Sequence, residues 1–169
     1  MNGNPTMIVL EGPDGGGKST LAQRLSENLE MKIVPSEGPE KYDGEIDERI
    51  MRYHMEYAGR HNILFDRHPC VSQMAYSLVH QQSKPNEQLV NRFYQSRPLL
   101  IYCRPDPSNV RHEATGEWDT KEYLAKVDKN YGKLMQWYDV WASWHANYIY
   151  RIGDPMSPLE RLIEGWRAI

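Results

Sequence analysis

The chain is poor in cysteine, with only Cys70 and Cys103, and it carries no apolar run long enough to cross a membrane. The two cysteines fit no metal-ligand spacing. With no leader-like segment beside them, they read as reduced thiols of a cytosolic protein, in the host cytoplasm if the chain is viral. A strong excess of charge of one sign is missing as well: 20 Lys and Arg face 23 Asp and Glu, a net charge of −3. That balance argues against a general nucleic-acid-binding surface and leaves room only for a local basic groove. Internal repeats, low-complexity tracts and an interdomain linker are also absent. The 169 residues therefore read as one domain, 1–169, with room for a proper core. What the chain has in quantity is Tyr and Trp, 11 and 5, much of it at helical spacing late in the sequence, where core packing explains it better than base stacking.

Five short apolar runs alternate with helix-like stretches, the pattern of an α/β protein with a parallel sheet. They are Met7 to Leu10, Lys32 to Val34, Asn62 to Phe65, Leu99 to Cys103 and Tyr148 to Ile152. Ile46, Ile50, Tyr53 and Tyr57 mark one helical face, and Leu89, Val90 and Phe93 another that stops before Pro98. Asp119-Thr120-Lys121-Glu122 has the form of a capping box and predicts one long helix burying Leu124, Val127, Tyr131, Leu134, Tyr138 and Trp141. Ser157-Pro158-Leu159-Glu160 repeats the signal and predicts a last helix with Pro158 at its first position.

The first apolar run leads into Gly12-Pro13-Asp14-Gly15-Gly16-Gly17-Lys18-Ser19, and Leu21, Ala22, Leu25 and Leu29 then recur at helical spacing. Glycines on a strand-to-helix turn let successive backbone N–H groups converge on phosphate oxygens, aided by the positive end of the helix dipole. This is a P-loop. Gly12, Gly15, Gly16, Gly17, Lys18, Ser19 and Thr20 are the predicted ATP-binding residues, with Lys18 neutralising the β- and γ-phosphates and Ser19 holding Mg²⁺. A P-loop alone does not separate a kinase from a switch or a motor. The second signal is Asp66-Arg67-His68 after the third run. Asp66 suits Mg²⁺ or an attacking oxygen, and Arg67 suits an anionic acceptor; a salt-bridged strand end is the plainer alternative. His68 reads as a ligand, a proton carrier or a structural residue. Because ligands of open α/β sheets bind beyond the carboxyl ends of the strands, these clusters, with Ser36-Glu37-Gly38-Pro39 and Arg104-Pro105-Asp106, fall on one edge.

Glu11 to Thr20, Asp66-Arg67-His68 and Ser72-Gln73-Met74-Ala75-Tyr76 together resemble the thymidylate kinase family. The resemblance is carried by the first third of the chain and the third-strand segment, and is topological elsewhere. It implies a three-layer P-loop NTPase fold with a five-stranded parallel sheet flanked by helices. It also implies ATP- and Mg²⁺-dependent phosphoryl transfer to a pyrimidine deoxynucleotide, dTMP first, and a homodimer. Carried over by position, Asp14 faces the acceptor sugar, Asp66 sits near Mg²⁺ and the phosphates, Arg67 binds the acceptor, and Gln73 reads a base edge. Tyr76 packs near base or sugar, and Glu37 joins the acceptor site. With Gly15 after the P-loop acid, the family pattern places the transition-state arginine in a lid of about 105–118. Arg111 is its first candidate and Arg104 its second.

The chain departs from the family at the acceptor pocket. The stretch after the second run is Ser36-Glu37-Gly38-Pro39-Glu40-Lys41, without the family's leading Arg, and the separate helix with a base-reading Arg has no counterpart beyond Arg49 and Arg52. One extra residue precedes the Ser72-Gln73 pair. Two further functions therefore stay open. One is a phage-type kinase acting on the hydroxymethyl group of 5-hydroxymethyluracil in DNA, and the other is a nucleotide-binding switch without an acceptor.

Overall fold

The computed structural model describes residues 7–79, 82–109 and 120–169. Its five strands are β1 (Met7–Glu11), β2 (Lys32–Val34), β3 (Ile63–Asp66), β4 (Leu99–Cys103) and β5 (Tyr148–Tyr150), in the spatial order β2-β3-β1-β4-β5. Every pairing is parallel, so helices make the crossovers. The helices are α1 (Lys18–Leu29), α2 (Glu45–Tyr57), α3 (Pro69–Tyr76), α4 (Glu87–Gln95), α5 (Lys121–Lys129), α6 (Tyr131–His145) and α7 (Met156–Arg167).

Alternate residues of each strand enter different cores, as the pleat requires. Val9, Phe65, Leu100 and Tyr102 pack with Tyr53, Val71, Leu134 and Tyr138 on the face covered by α2, α3 and α6. Ile8, Leu10, Leu64 and Ile101 pack with Leu21, Leu25, Leu159 and Ile163 under α1 and α7. Burial on both faces is why the strands read as short continuous apolar runs. The described residues include no helix long and apolar enough to cross a membrane.

The structure corrects four element boundaries. The long helix is two helices, because Asn130 leaves helical geometry at φ −105°, with its side-chain nitrogen Nδ2 donating to the Lys126 carbonyl at 2.9 Å alongside its backbone amide. The cap of α5 is Thr120, whose hydroxyl accepts from the Tyr123 amide at 3.2 Å; Asp119 lies outside the described residues. The last helix starts at Met156, so Pro158 sits third in it, still where an amide hydrogen has no partner to lose. The fifth strand stops at Tyr150, where Asp154 captures the Arg151 amide in a turn. The short 3-10 turn Pro107–Asn109 follows β4, and Arg111 with the rest of the predicted lid from 110 onward lies outside the described residues.

Candidate active site

The carboxyl ends of β3, β1 and β4 lie side by side, and the turn after β1 sits over them. A β-carbon added at Gly12 would stand 2.4 Å from the Cys103 carbonyl oxygen, and one at Gly16 only 2.2 Å from the same atom. The loop therefore lies directly on the end of β4, at a distance only glycine permits. Gly17 caps α1 in left-handed geometry, no side chain caps the helix, and no acid occupies its first turn. Its leading amides thus suit a phosphate rather than a protein partner.

Lys18 is buried and its ammonium donates to the Pro13 carbonyl at 2.8 Å. Burial, with Arg67 nearby adding to it, pushes its pKa down to about 8. Ser19 donates to Asp66 at 2.8 Å, which joins the start of α1 to the end of β3. A hydroxyl and a carboxylate beside a phosphate cradle are the donor set Mg²⁺ takes in nucleotide sites, so ATP and Mg²⁺ fit the residues present.

Arg67 has a left-handed backbone, φ 68°, and its guanidinium pairs with Asp14 of the P-loop at 2.7 Å. The same guanidinium lies over the Tyr76 ring, 4.9 Å from its centre. Tyr131 at the start of α6 donates to the Asp14 carbonyl at 2.8 Å. His68 is structural: buried and stacked on Phe93, it caps α3 by accepting the Cys70 amide at Nδ1. Burial holds its pKa down near 3, so the ring is neutral.

Beside Arg67 a cleft opens between the segment after β2 (Ser36, Gly38, Pro39), α3 (Ser72, Gln73, Tyr76), Gln82, and Tyr123 of α5. Among the described residues the buried Tyr76 hydroxyl has no hydrogen-bond partner. Gln73 donates from its amide nitrogen to the Ser83 carbonyl at 3.0 Å and to Gln82, which fixes the amide with its oxygen as the remaining acceptor. Ser83 is in turn clasped by Glu40, whose carboxylate accepts the Ser83 amide and hydroxyl, both at 2.9 Å. This clasp links the two walls of the cleft.

Glu37 is directed away from that cleft to α2. Arg52 and Tyr53 donate to it, the latter at 2.9 Å, and Arg49 pairs with it at 3.2 Å. Partial burial works against its charge, but the bonds from Arg52 and Tyr53 outweigh it and keep the carboxyl below its usual range. Arg52 is thus held by Glu37, and Arg49, beside its pairing with Glu37, donates to the Gly38 carbonyl at 2.7 Å and to Glu45 at 3.1 Å. Arg104 is held by Asp139 of α6 in a two-pronged contact at 2.9 and 3.1 Å, and Tyr102 donates to the same carboxylate.

Sequence reasoning finds the P-loop, Asp66, Arg67, Gln73 and Tyr76, and the structure brings them together. It misses Glu11, Tyr131, Asp139 and Ile152. Ile152 is 68% exposed, and its side chain lies 3.0 Å from where a β-carbon of Gly17 would be. The available signal is a single apolar residue in the charged turn Arg151-Ile152-Gly153-Asp154 after the fifth strand.

No protein-family model matches the chain. Thymidylate kinase of Leptospira interrogans is 28% identical to it, covering 79% of this chain and 83% of the relative. The prophage-derived uncharacterized protein YorR of Bacillus subtilis is 26% identical over 73% of this chain and 74% of its own. Among solved structures, YorR in complex with phosphorylated GDP superposes with a TM-score of 0.70 at 22% identity, covering 94% of this chain and 96% of that one. Thymidylate kinase from Candida albicans gives a TM-score of 0.53 at 19% identity, over 96% and 92%. The chain has a nucleotide-kinase-like P-loop fold, and sequence and fold both support the resemblance to the thymidylate kinase family.

Proposed function

We propose that the protein is an ATP-dependent kinase that transfers the γ-phosphoryl group to a pyrimidine deoxynucleotide, with dTMP as the first acceptor. The observation that carries this reading is the placement of Arg67. One guanidinium, tied to Asp14 of the phosphate cradle and stacked on Tyr76 of the adjoining cleft, spans the donor and acceptor sides. A switch without an acceptor has no use for such a bridge.

In this reading the α1 amides and Lys18 hold the β- and γ-phosphates. Ser19 and Asp66 hold Mg²⁺, which when bound neutralises phosphate charge. Arg67 grips the acceptor phosphate, and Asp14 sets that guanidinium and faces the acceptor sugar. Gln73 offers its oxygen to a donor on the base edge, as N3–H of thymine provides. Ile152 is the apolar surface beside the P-loop on which we place the donor base. Arg111 of the predicted lid is the proposed cation for the transferring group, with Arg104 in reserve.

Both candidate base-reading arginines are engaged by Glu37, and this favours a second reading in which the acceptor is a 5-hydroxymethyluracil base in DNA. Label transfer from ATP separates the readings. The acceptors are dTMP, the other deoxynucleoside monophosphates including dGMP, hydroxymethyluracil duplex DNA and thymine DNA. Label on dTMP supports the first reading and label on modified DNA alone the second. ATP binding without turnover on any of them would leave only a nucleotide-binding switch.

A further inference from the structure

Glu11 is a fully buried carboxylate at the end of β1 that the proposed chemistry leaves without a task. The ladder between β1 and β3 ends at the pair Leu10 and Asp66. Beyond it the chain turns, and its next two amides are captured by the last two residues of β1. The Arg67 amide donates to the Leu10 carbonyl at 3.0 Å, and the His68 amide donates to Glu11 Oε1 at 2.6 Å. The other oxygen, Oε2, accepts from the Tyr138 hydroxyl of α6 at 3.0 Å.

Between those two captured amides sits Arg67, in the left-handed region that residues other than glycine mostly avoid. Glycine would relieve the strain and lose the guanidinium. The strained arginine persists because the amides on either side of its α-carbon are fixed, the situation in which surrounding structure over-determines an unfavourable backbone. Burial itself works against a carboxylate here, pushing its pKa up to about 7. The carboxyl, buried at that cost, makes two bonds, one to the turn that aims Arg67 and one to the helix that also supplies Tyr131 to Asp14.

We propose that Glu11 is a positioning residue, which fixes the Arg67–His68 turn from beneath and so sets where the Arg67 guanidinium meets the acceptor phosphate. The inference rests on the kinase reading above. It places the effect of Glu11 chiefly on the acceptor side, since the His68 amide it holds flanks Arg67, whereas the phosphate cradle contacts ATP through other residues.

Two variants and two readouts test it. Glu11→Met removes the acceptor oxygens at similar length, and Glu11→Asp keeps the carboxyl but withdraws it by one methylene. Both are expected to raise the KM for the acceptor about tenfold, the loss of one well-placed buried bond, with the KM for ATP within about twofold of wild type. Glu11→Gln keeps an oxygen for the His68 amide and is expected to restore the acceptor KM to within about threefold. Independently of turnover, the His68 amide is expected to exchange with solvent at least about tenfold faster in the Met and Asp variants than in wild type or Gln. Glu11→Asp serves where the Met variant does not fold. Folded variants with an unchanged acceptor KM, or with both KM values raised together, would overturn the proposal. If wild type phosphorylates no acceptor, the function reading falls, and the His68 exchange rates on the same variants still decide the positioning claim.

Discussion

The Ser19 hydroxyl and the Asp66 carboxylate, 47 positions apart in sequence, meet at 2.8 Å. The contact ties the first turn of α1 to the last residue of β3, so the two proposed Mg²⁺ residues are already adjacent beside the phosphate cradle. Replacing Asp66 with Asn keeps the shape and removes the charge. The expected outcome is a kcat lower by about 10- to 100-fold, with ATP affinity within about threefold of wild type. Steady-state kinetics and equilibrium ATP titration on the same preparation check it; unchanged turnover removes Asp66 from the mechanism.

Lys18→Ala is expected to abolish turnover, at least about a 10³-fold loss, while leaving the fold intact. Lys18 bonds the Pro13 carbonyl, but that oxygen lies in a loop held independently by Cys103 and Tyr131 contacts. Circular dichroism and thermal melting check the fold. A folded variant with a normal rate contradicts the site.

Lys18 also gives a pH dependence. Its pKa in the folded protein without ligand is lowered to about 8, so rising pH removes the ammonium well before an exposed lysine would lose it. ATP affinity is expected to weaken above about pH 8, by up to about tenfold per pH unit. The stability consequence has the opposite sense. The native state binds fewer protons than the unfolded chain between about 8 and 10.5, so Lys18 makes folding more favourable as pH rises through that window. ATP titrations at several pH values check the first, and the comparison of wild type with Lys18→Met in denaturant the second.

The clasp between Glu40 and Ser83 is exposed and far from the P-loop in sequence, yet it fixes the strap whose carbonyl orients Gln73. Glu40→Ala is expected to raise the acceptor KM severalfold with little effect on stability, within about 1 kcal/mol, because surface bonds contribute little to folding. Acceptor and ATP KM values measured together check it. Equal changes in both would place the clasp outside the acceptor site.

The glycines over β4, the five strands and the two cores follow from local pattern, because apolar period and turn chemistry are written in neighbouring residues. Asp66 and Arg67 are legible for the same reason: they stand directly after an apolar run. What escaped depends on tertiary partners. Glu11 stands in the sequence only as the residue between the first apolar run and the P-loop glycines until the His68 amide and Tyr138 reach it from the turn after β3 and from α6. Glu37 matches the family's acid by position, but Arg52 and Tyr53, with Arg49 one turn before them on α2, converge on it. The break at Asn130 is likewise invisible to periodicity, since apolar spacing continues across it from Val127 to Leu134.

The most direct test of the central claim is transfer of radiolabel from the γ-position of ATP with free dTMP in one reaction and hydroxymethyluracil duplex DNA in another, with thymine DNA as control. Label on dTMP, lost in Arg67→Ala, is the expected result. Label on the modified DNA alone, or on no acceptor at all, would contradict it.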